Sequence, residues 1–171
     1  MKSTVYFIAI LTVVISPAYL QADPIVVKPQ SIHLNQCTDQ QFKIKFLCDP
    51  NWEIQTDEGV MMMIVSKEPY VTVTIAQSDQ VIGSLDQLTN DVLKTIGQYK
   101  DGFQTQMIQI AKQNAIEVIG SSEKQPDMSL TDVYIIRNGV LYTVFFAVKP
   151  KQNISDYENL IHRIKDSIEF I

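Results

Sequence analysis

Residues Ile135–Val148 read IIRNGVLYTVFFAV. Asn138-Gly139 between two apolar runs is the strongest short-range signal for a β-hairpin, since both residues accept the positive φ that a tight, twisted two-residue turn demands. Val140–Val148 then carries apolar or aromatic side chains on both faces. A strand wetted on one side would alternate with polar residues, so this one predicts a central strand covered on both sides. The preceding run, Ser129–Arg137, becomes its antiparallel neighbour.

Working outward, the same period-two logic finds further strands. Phe42, Ile44 and Phe46 alternate with Lys43 and Lys45; Asp49-Pro50-Asn51 halts that run, and Trp52 and Ile54 restart it. Proline denies a ladder its donor, and Asp and Asn suit turns. Val60–Val65 (VMMMIV) is apolar on both faces; Val71, Val73 and Ile75 alternate with Thr72 and Thr74. Strands are also expected at 103–110 and 114–120. Two segments change to helical spacing. Leu85, Leu88, Val92 and Ile96 follow Ser84-Leu85-Asp86-Gln87, which fits a capping box. Tyr157, Leu160, Ile161, Ile164 and Ile168 follow a second such box at Ser155–Glu158. The resulting fold class is α+β, an antiparallel β-sheet flanked by helices on both sides.

Residues 1–22 have a lysine near the start, a short apolar block at Val5–Ile15 and small residues after it. This is the pattern of a secretory signal peptide, with cleavage after Ala18 or, preferably, Ala22. The block is shorter than the roughly 20 residues that span a bilayer. The expected domain plan is a signal peptide at 1–22, an irregular segment at 23–41 with a short strand near Ser31–Asn35, and one domain at 42–171. The expected location is periplasmic or extracellular, with no stable membrane insertion after cleavage.

The net charge of the 171 residues is −5. The leader holds one Lys and no acid, so the remainder is more negative still. A phosphate backbone needs clustered Lys and Arg, so nucleic acid is not an expected partner. Cys37 and Cys48 sit in a chain read as exported, where disulfides persist. A bridge between them would stabilise by about 3 kcal/mol. A simple hairpin pairing them would centre its turn on Phe42-Lys43, inside the expected strand, so a bridge would need a less regular path. Two free thiols and a metal or redox site stay open beside it, although Cys-x10-Cys is not a redox dithiol spacing.

Catalytic groups are sparse. The two histidines are His33 and His162; no G-x-S-x-G elbow and no glycine-rich phosphate loop occurs. Glu53, Glu117 and Asp132 fall on expected strands, and Asp57-Glu58 and Asp127 with Asp132 could gather round a hard cation. Hairpin turn and loop positions are the preferred explanation of Asp57, Glu58 and Asp127, and no metal site is expected. Met61-Met62-Met63 is either core filling or, through Met61 and Met63, an adaptable apolar contact for a partner. No cofactor motif is present.

Several stretches together resemble the PsbP/Mog-like superfamily: FKIKFLCDPNW (42–52), SLDQLTNDVLKTI (84–96), NAIEVIG (114–120), NGVLYTVFFAV (138–148) and IHRIKDSIEF (161–170). The resemblance covers about residues 42–171 and rests on the order of these segments. It implies an antiparallel sheet with helices on both sides. It also implies a role in binding or stabilising other proteins, as in extrinsic photosystem subunits and a Ran-binding transport factor. The functional expectation is therefore an exported, non-catalytic module for an unidentified protein or peptide. A small hydrolase using scattered acids or His162 is the alternative, and a metal or redox protein using Cys37 and Cys48 the third. Oligomeric state is left open.

Overall fold

The computed structural model describes residues 32–81 and 83–171. The leader at 1–22 and residues 23–31 of the segment expected to be irregular lie outside the described residues. The elements are β1 (Asn35–Asp39), β2 (Ile44–Cys48), β3 (Glu53–Asp57), β4 (Val60–Lys67), β5 (Tyr70–Val81), α1 (Asn90–Gly97), β6 (Gln104–Ile110), β7 (Gln113–Ser121), β8 (Ser129–Arg137), β9 (Val140–Lys149), α2 (Ile154–Asp166) and β10 (Glu169–Phe170). They form a 7-stranded sheet in the order β3-β4-β5-β9-β8-β7-β6 and a 3-stranded sheet in the order β1-β2-β10. Every strand pair is antiparallel.

Strand β9 is the middle of the large sheet, as its two apolar faces predict. Asn138 (φ 53°) and Gly139 (φ 77°) make the two-residue turn that joins β8 to β9, with Arg137 opposite Val140. Alternation then sends side chains into two cores. Val133, Ile135, Val144, Phe146 and Val148 join Met61, Met63, Val65, Val71, Val73 and Ile75 in the larger one. That core is closed by α2 through Tyr157, Leu160, Ile161 and Ile164, and by β2 through Ile44, Phe46 and Cys48. The opposite faces of β7–β9 supply Ile116, Val118, Leu130, Tyr134 and Leu141 to a smaller core, with Leu88 and Leu93 from the α1 region and Tyr99 just after it. The layer over the larger core is thus a helix plus a second small sheet, a composition that helical periodicity alone did not announce.

Local details depart from the expected ones. Ser84 precedes a single 3-10 turn, Leu85–Gln87, and its side chain caps nothing. Gln87 Oε1 instead accepts from the Gly83 amide at 2.9 Å. The helix starts later, with Thr89 Oγ1 accepting from the Val92 amide at 3.4 Å. That delay shifts the helical phase, so Leu93 is buried while Val92 is 37% exposed. Likewise α2 begins at Ile154, and Ser155 lies inside its first turn.

The first strand also differs. Phe42 and Lys43 belong to a turn: the Phe42 amide donates to Asp39 Oδ1 at 2.8 Å, and Lys43 has φ 52°. The strand therefore begins at Ile44, which leaves β1 free to pair regularly with it. The ordered sheet reaches back to Asn35, ahead of the boundary expected at 42.

Candidate functional site

Cys37 and Cys48 form a disulfide with their Cα atoms 5.8 Å apart. Cys37 stands opposite Phe46 and Asn35 opposite Cys48, so the bridge runs diagonally across the β1–β2 hairpin. The objection to a simple hairpin came from starting the strand at Phe42, which lies in the turn, when it begins at Ile44, and from assuming directly opposed cysteines. With both sulfurs bonded, neither the thiol nor the metal reading of this pair has a free ligand.

The acids do not converge. Glu117 and Asp132 are both buried, but Val118 is the residue opposite Asp132, so Glu117 projects from the other face. On the larger-core face, Lys165 Nζ of α2 donates to Glu117 Oε1 at 2.6 Å, and Gln106 Nε2 donates to Glu117 Oε2. Both members of this ion pair are nearly inaccessible. On the smaller-core face, the Tyr99 hydroxyl donates to Asp132 Oδ2 and lies 2.9 Å from the Tyr134 hydroxyl. Burial pushes Asp132 well above the usual carboxylate range, opposed by Tyr99 and by the Phe146 amide. Its Oδ1 has no well-aligned hydrogen bond. With no cation beside it, this carboxyl favours its neutral form. Burial also raises the Tyr99 and Tyr134 phenols, and Asp132 reinforces both shifts. Tyr99, Asp132 and Tyr134 are each 0% exposed, so the cluster is sealed within the smaller core among the described residues.

His33, ahead of β1, and His162, on α2, are both exposed. Asp57 and Glu58 sit at the β3–β4 turn, where Gly59 takes φ 71°. Among the described residues no group of three or more His, Cys, Asp or Glu could hold a metal ion.

The methionine triplet divides by parity. Met61 and Met63, the expected partner contacts, are buried in the larger core, which corrects that reading; Met62 points the other way and is half-buried. Register places Gln55, Met62, Thr74, Phe145 and Asp132 in one row across five strands of the smaller-core face. The next row is Glu53, Ile64, Thr72, Ala147 and Leu130. The first row passes from buried Asp132 through half-buried Phe145, Thr74 and Met62 to exposed Gln55; in the second, Leu130 and Thr72 are buried, Ala147 and Ile64 half-buried and Glu53 exposed. The α1 side of this face is therefore closed, and the β3–β5 side is a half-open strip with a mixed apolar floor. Its boundary with the core is Phe145 edge-on to Tyr134, ring centroids 6.3 Å apart. At its rim Lys67 Nζ lies 3.1 Å from Glu53 Oε2, and its hydrogen bond holds Glu53 below the usual carboxylate range. Tyr70, on the same face, is raised by burial and by the Glu53 charge. Met62 was in view in the sequence, but only strand register shows that it, and neither of its neighbours, faces outward.

A platform built from an antiparallel sheet, with one face closed and the other partly open, defines the class to which this chain conforms. No family model matches it, and no curated protein is similar to it in sequence. Solved structures are. The Ran-binding protein Mog1p of Saccharomyces cerevisiae superposes with a TM-score of 0.55 at 8% identity, covering 82% of this chain and 96% of that one. Cyanobacterial PsbP (CyanoP) from Synechocystis sp. PCC 6803 gives 0.53 at 15% identity, covering 89% and 99%. A protein from Bacteroides thetaiotaomicron gives 0.51 at 8% identity, with 80% of this chain and 48% of that one covered. At such identities the likeness is one of fold, and the fold is PsbP/Mog-like.

Proposed function

We propose that this chain is an exported, non-catalytic accessory module that binds a protein or peptide on the half-open strip of its large sheet. The observation that carries the proposal is the graded row Asp132, Phe145, Thr74, Met62, Gln55, buried at one end and open at the other. A closed sandwich would cover Met62 and Ile64 as fully as it covers Met61 and Met63. Met62 and Phe145 offer adaptable apolar area, and the Glu53–Lys67 rim offers orientation. Helices over the two faces, with the small sheet beside α2, make the remaining sheet a rigid support. The leader pattern and the disulfide support an exported setting. A Ran-binding protein among the structural neighbours is an analogy for binding, with no partner carried over.

The test is capture by the immobilised protein from the exported fraction of its source cell, compared with Met62→Lys. A charge on the strip is expected to lower retention of the specific partner about tenfold or more, about 1.4 kcal/mol, with the thermal melt unchanged. Equal retention by the variant would overturn the proposal. So would turnover in a broad hydrolase screen with no partner retained.

A further inference from the structure

Met1 aside, the methionines of the chain are Met61, Met62, Met63, Met107 and Met128. Their cover differs widely. Met61 is 4% exposed and Met63 0%, Met62 and Met128 are half-buried, and Met107 is 61% exposed. A thioether is soft and polarizable, and a peroxide oxidises it wherever its sulfur can be reached. Strand parity therefore sorts three consecutive methionines into two that are protected and one that is open to attack.

The neighbours decide what the product does. Across the ladder Met62 stands between Gln55 and Thr74, and Met63 between Ile54 and Val73. Directly opposed side chains on one face of a sheet are close enough to interact. Oxidation turns a flexible apolar side chain into a polar, chiral one with an acceptor oxygen. At Met62 that oxygen has the Gln55 amide and the Thr74 hydroxyl beside it as donors, and water beyond. At Met63 it would face aliphatic side chains in a closed core, where an unbonded polar group is costly. The fold thus tolerates at Met62 what it resists at Met63. The apolar floor of the strip changes character all the same.

We propose that Met62 is a reversible oxidation switch on the strip, turned off by a hydroperoxide and reset by a thiol-dependent sulfoxide reductase. The inference rests on the binding reading given above, and names a regulation of that same surface. In the forward step a sulfur lone pair takes the distal oxygen of the peroxide. The S–O bond forms as the O–O bond breaks, and the sulfur gives up two electrons. The distal proton passes to the departing oxygen, which leaves as water or an alcohol. In the reverse step a dithiol supplies two electrons and two protons, the oxygen leaves as water, and the dithiol becomes a disulfide. Met107 lies on β6, the opposite edge of the sheet from β3, so its oxidation leaves the strip as it is.

The first measurement is peptide mass spectrometry of the purified protein treated with hydrogen peroxide. Met62 is expected to oxidise about tenfold or more faster than Met61 and Met63, with the thermal melt unchanged. Protection of Met62 equal to that of Met63 would overturn the inference. Capture from the exported fraction is then repeated with the double variant Met107→Leu, Met128→Leu, which lacks the other accessible methionines. Untreated, it should retain the partner as the wild type does. After peroxide its retention should fall about tenfold or more, and methionine sulfoxide reductases for both epimers should restore it. Undiminished retention with Met62 oxidised would overturn the switch and leave the binding reading intact. If the untreated protein retains no partner, or Met62→Lys retains it equally, the binding reading fails and the switch fails with it.

Discussion

The two faces of the large sheet each bury a carboxylate, and they deal with it in opposite ways. Toward α2, Glu117 is held between Lys165 and Gln106, so the charge is kept and neutralised. Toward α1, Asp132 meets two tyrosine hydroxyls and no cation, so the charge is suppressed. The first arrangement joins α2 to the sheet through an interaction whose partners lie 48 residues apart. The second ties Tyr99, just beyond α1, to β8. One face is fastened by electrostatics that depend on both partners; the other is fastened by hydrogen bonds that depend on one proton.

The largest expected effect comes from breaking the ion pair. Lys165→Met should destabilise by about 3–5 kcal/mol in urea unfolding, because Glu117 would remain buried with no cation. Adding Glu117→Gln should recover most of the loss. A single-variant loss under about 1 kcal/mol would show that this face is wetter than its packing implies.

A smaller effect is expected where the other face is tightest. A Cβ at Gly97 would stand 2.1 Å from Cε2 of the Tyr99 ring. That ring is buried and bonded to Asp132, so it cannot swing aside cheaply. Gly97→Ala should cost about 1–3 kcal/mol by overpacking, despite the gain of up to about 1 kcal/mol usual for Ala over Gly in a helix. A thermal melt raised by this change would mean that Tyr99 is loosely held.

The subtlest comparison is in pH. The folded-state pKa of Asp132 is raised, so the protein takes up a proton on folding between the ordinary carboxylate range and that raised value. Its contribution is fully present below the unfolded pKa and is lost as pH rises through the folded one. The slope in that window is about 1.4 kcal/mol per pH unit. Asp132→Asn should abolish this slope, so the variant gains on the wild type as pH increases, read from unfolding curves at several pH values. Parallel pH profiles for the two proteins would show that Asp132 is ionised in the fold.

Much of this architecture was legible in the sequence. Asn138-Gly139, the doubly apolar β9 and the stripe Tyr157, Leu160, Ile161, Ile164 identify the central hairpin and the closing helix by period alone. What failed did so for local reasons. Ser84 and Ser155 had the right spacing for caps, but spacing says nothing of where the backbone turns helical, and Thr89 took that role. The turn at Phe42-Lys43 was hidden because a buried Phe in a turn looks like a strand residue. The site was less legible than the fold. Alternation sorts Met61, Met62 and Met63 into two sets, yet which set is covered depends on α2, far along the chain. The pairings Glu117–Lys165 and Tyr99–Asp132 are long-range contacts with no local signature.

Strand β2 lies between β1, just before it, and β10, far downstream; the Leu47 amide donates to Ser167 Oγ across 120 residues of chain. The small sheet therefore has an order of assembly built into it. Its first half is a local hairpin, locked by oxidation of Cys37 and Cys48. Its second half must wait for residues 164–171, where Ile164, Ile168 and Phe170 pack against the larger core and Ile171 bonds to Lys43. Without that stretch β2 would lack its second neighbour, and Ile44 and Phe46 would lose part of their cover.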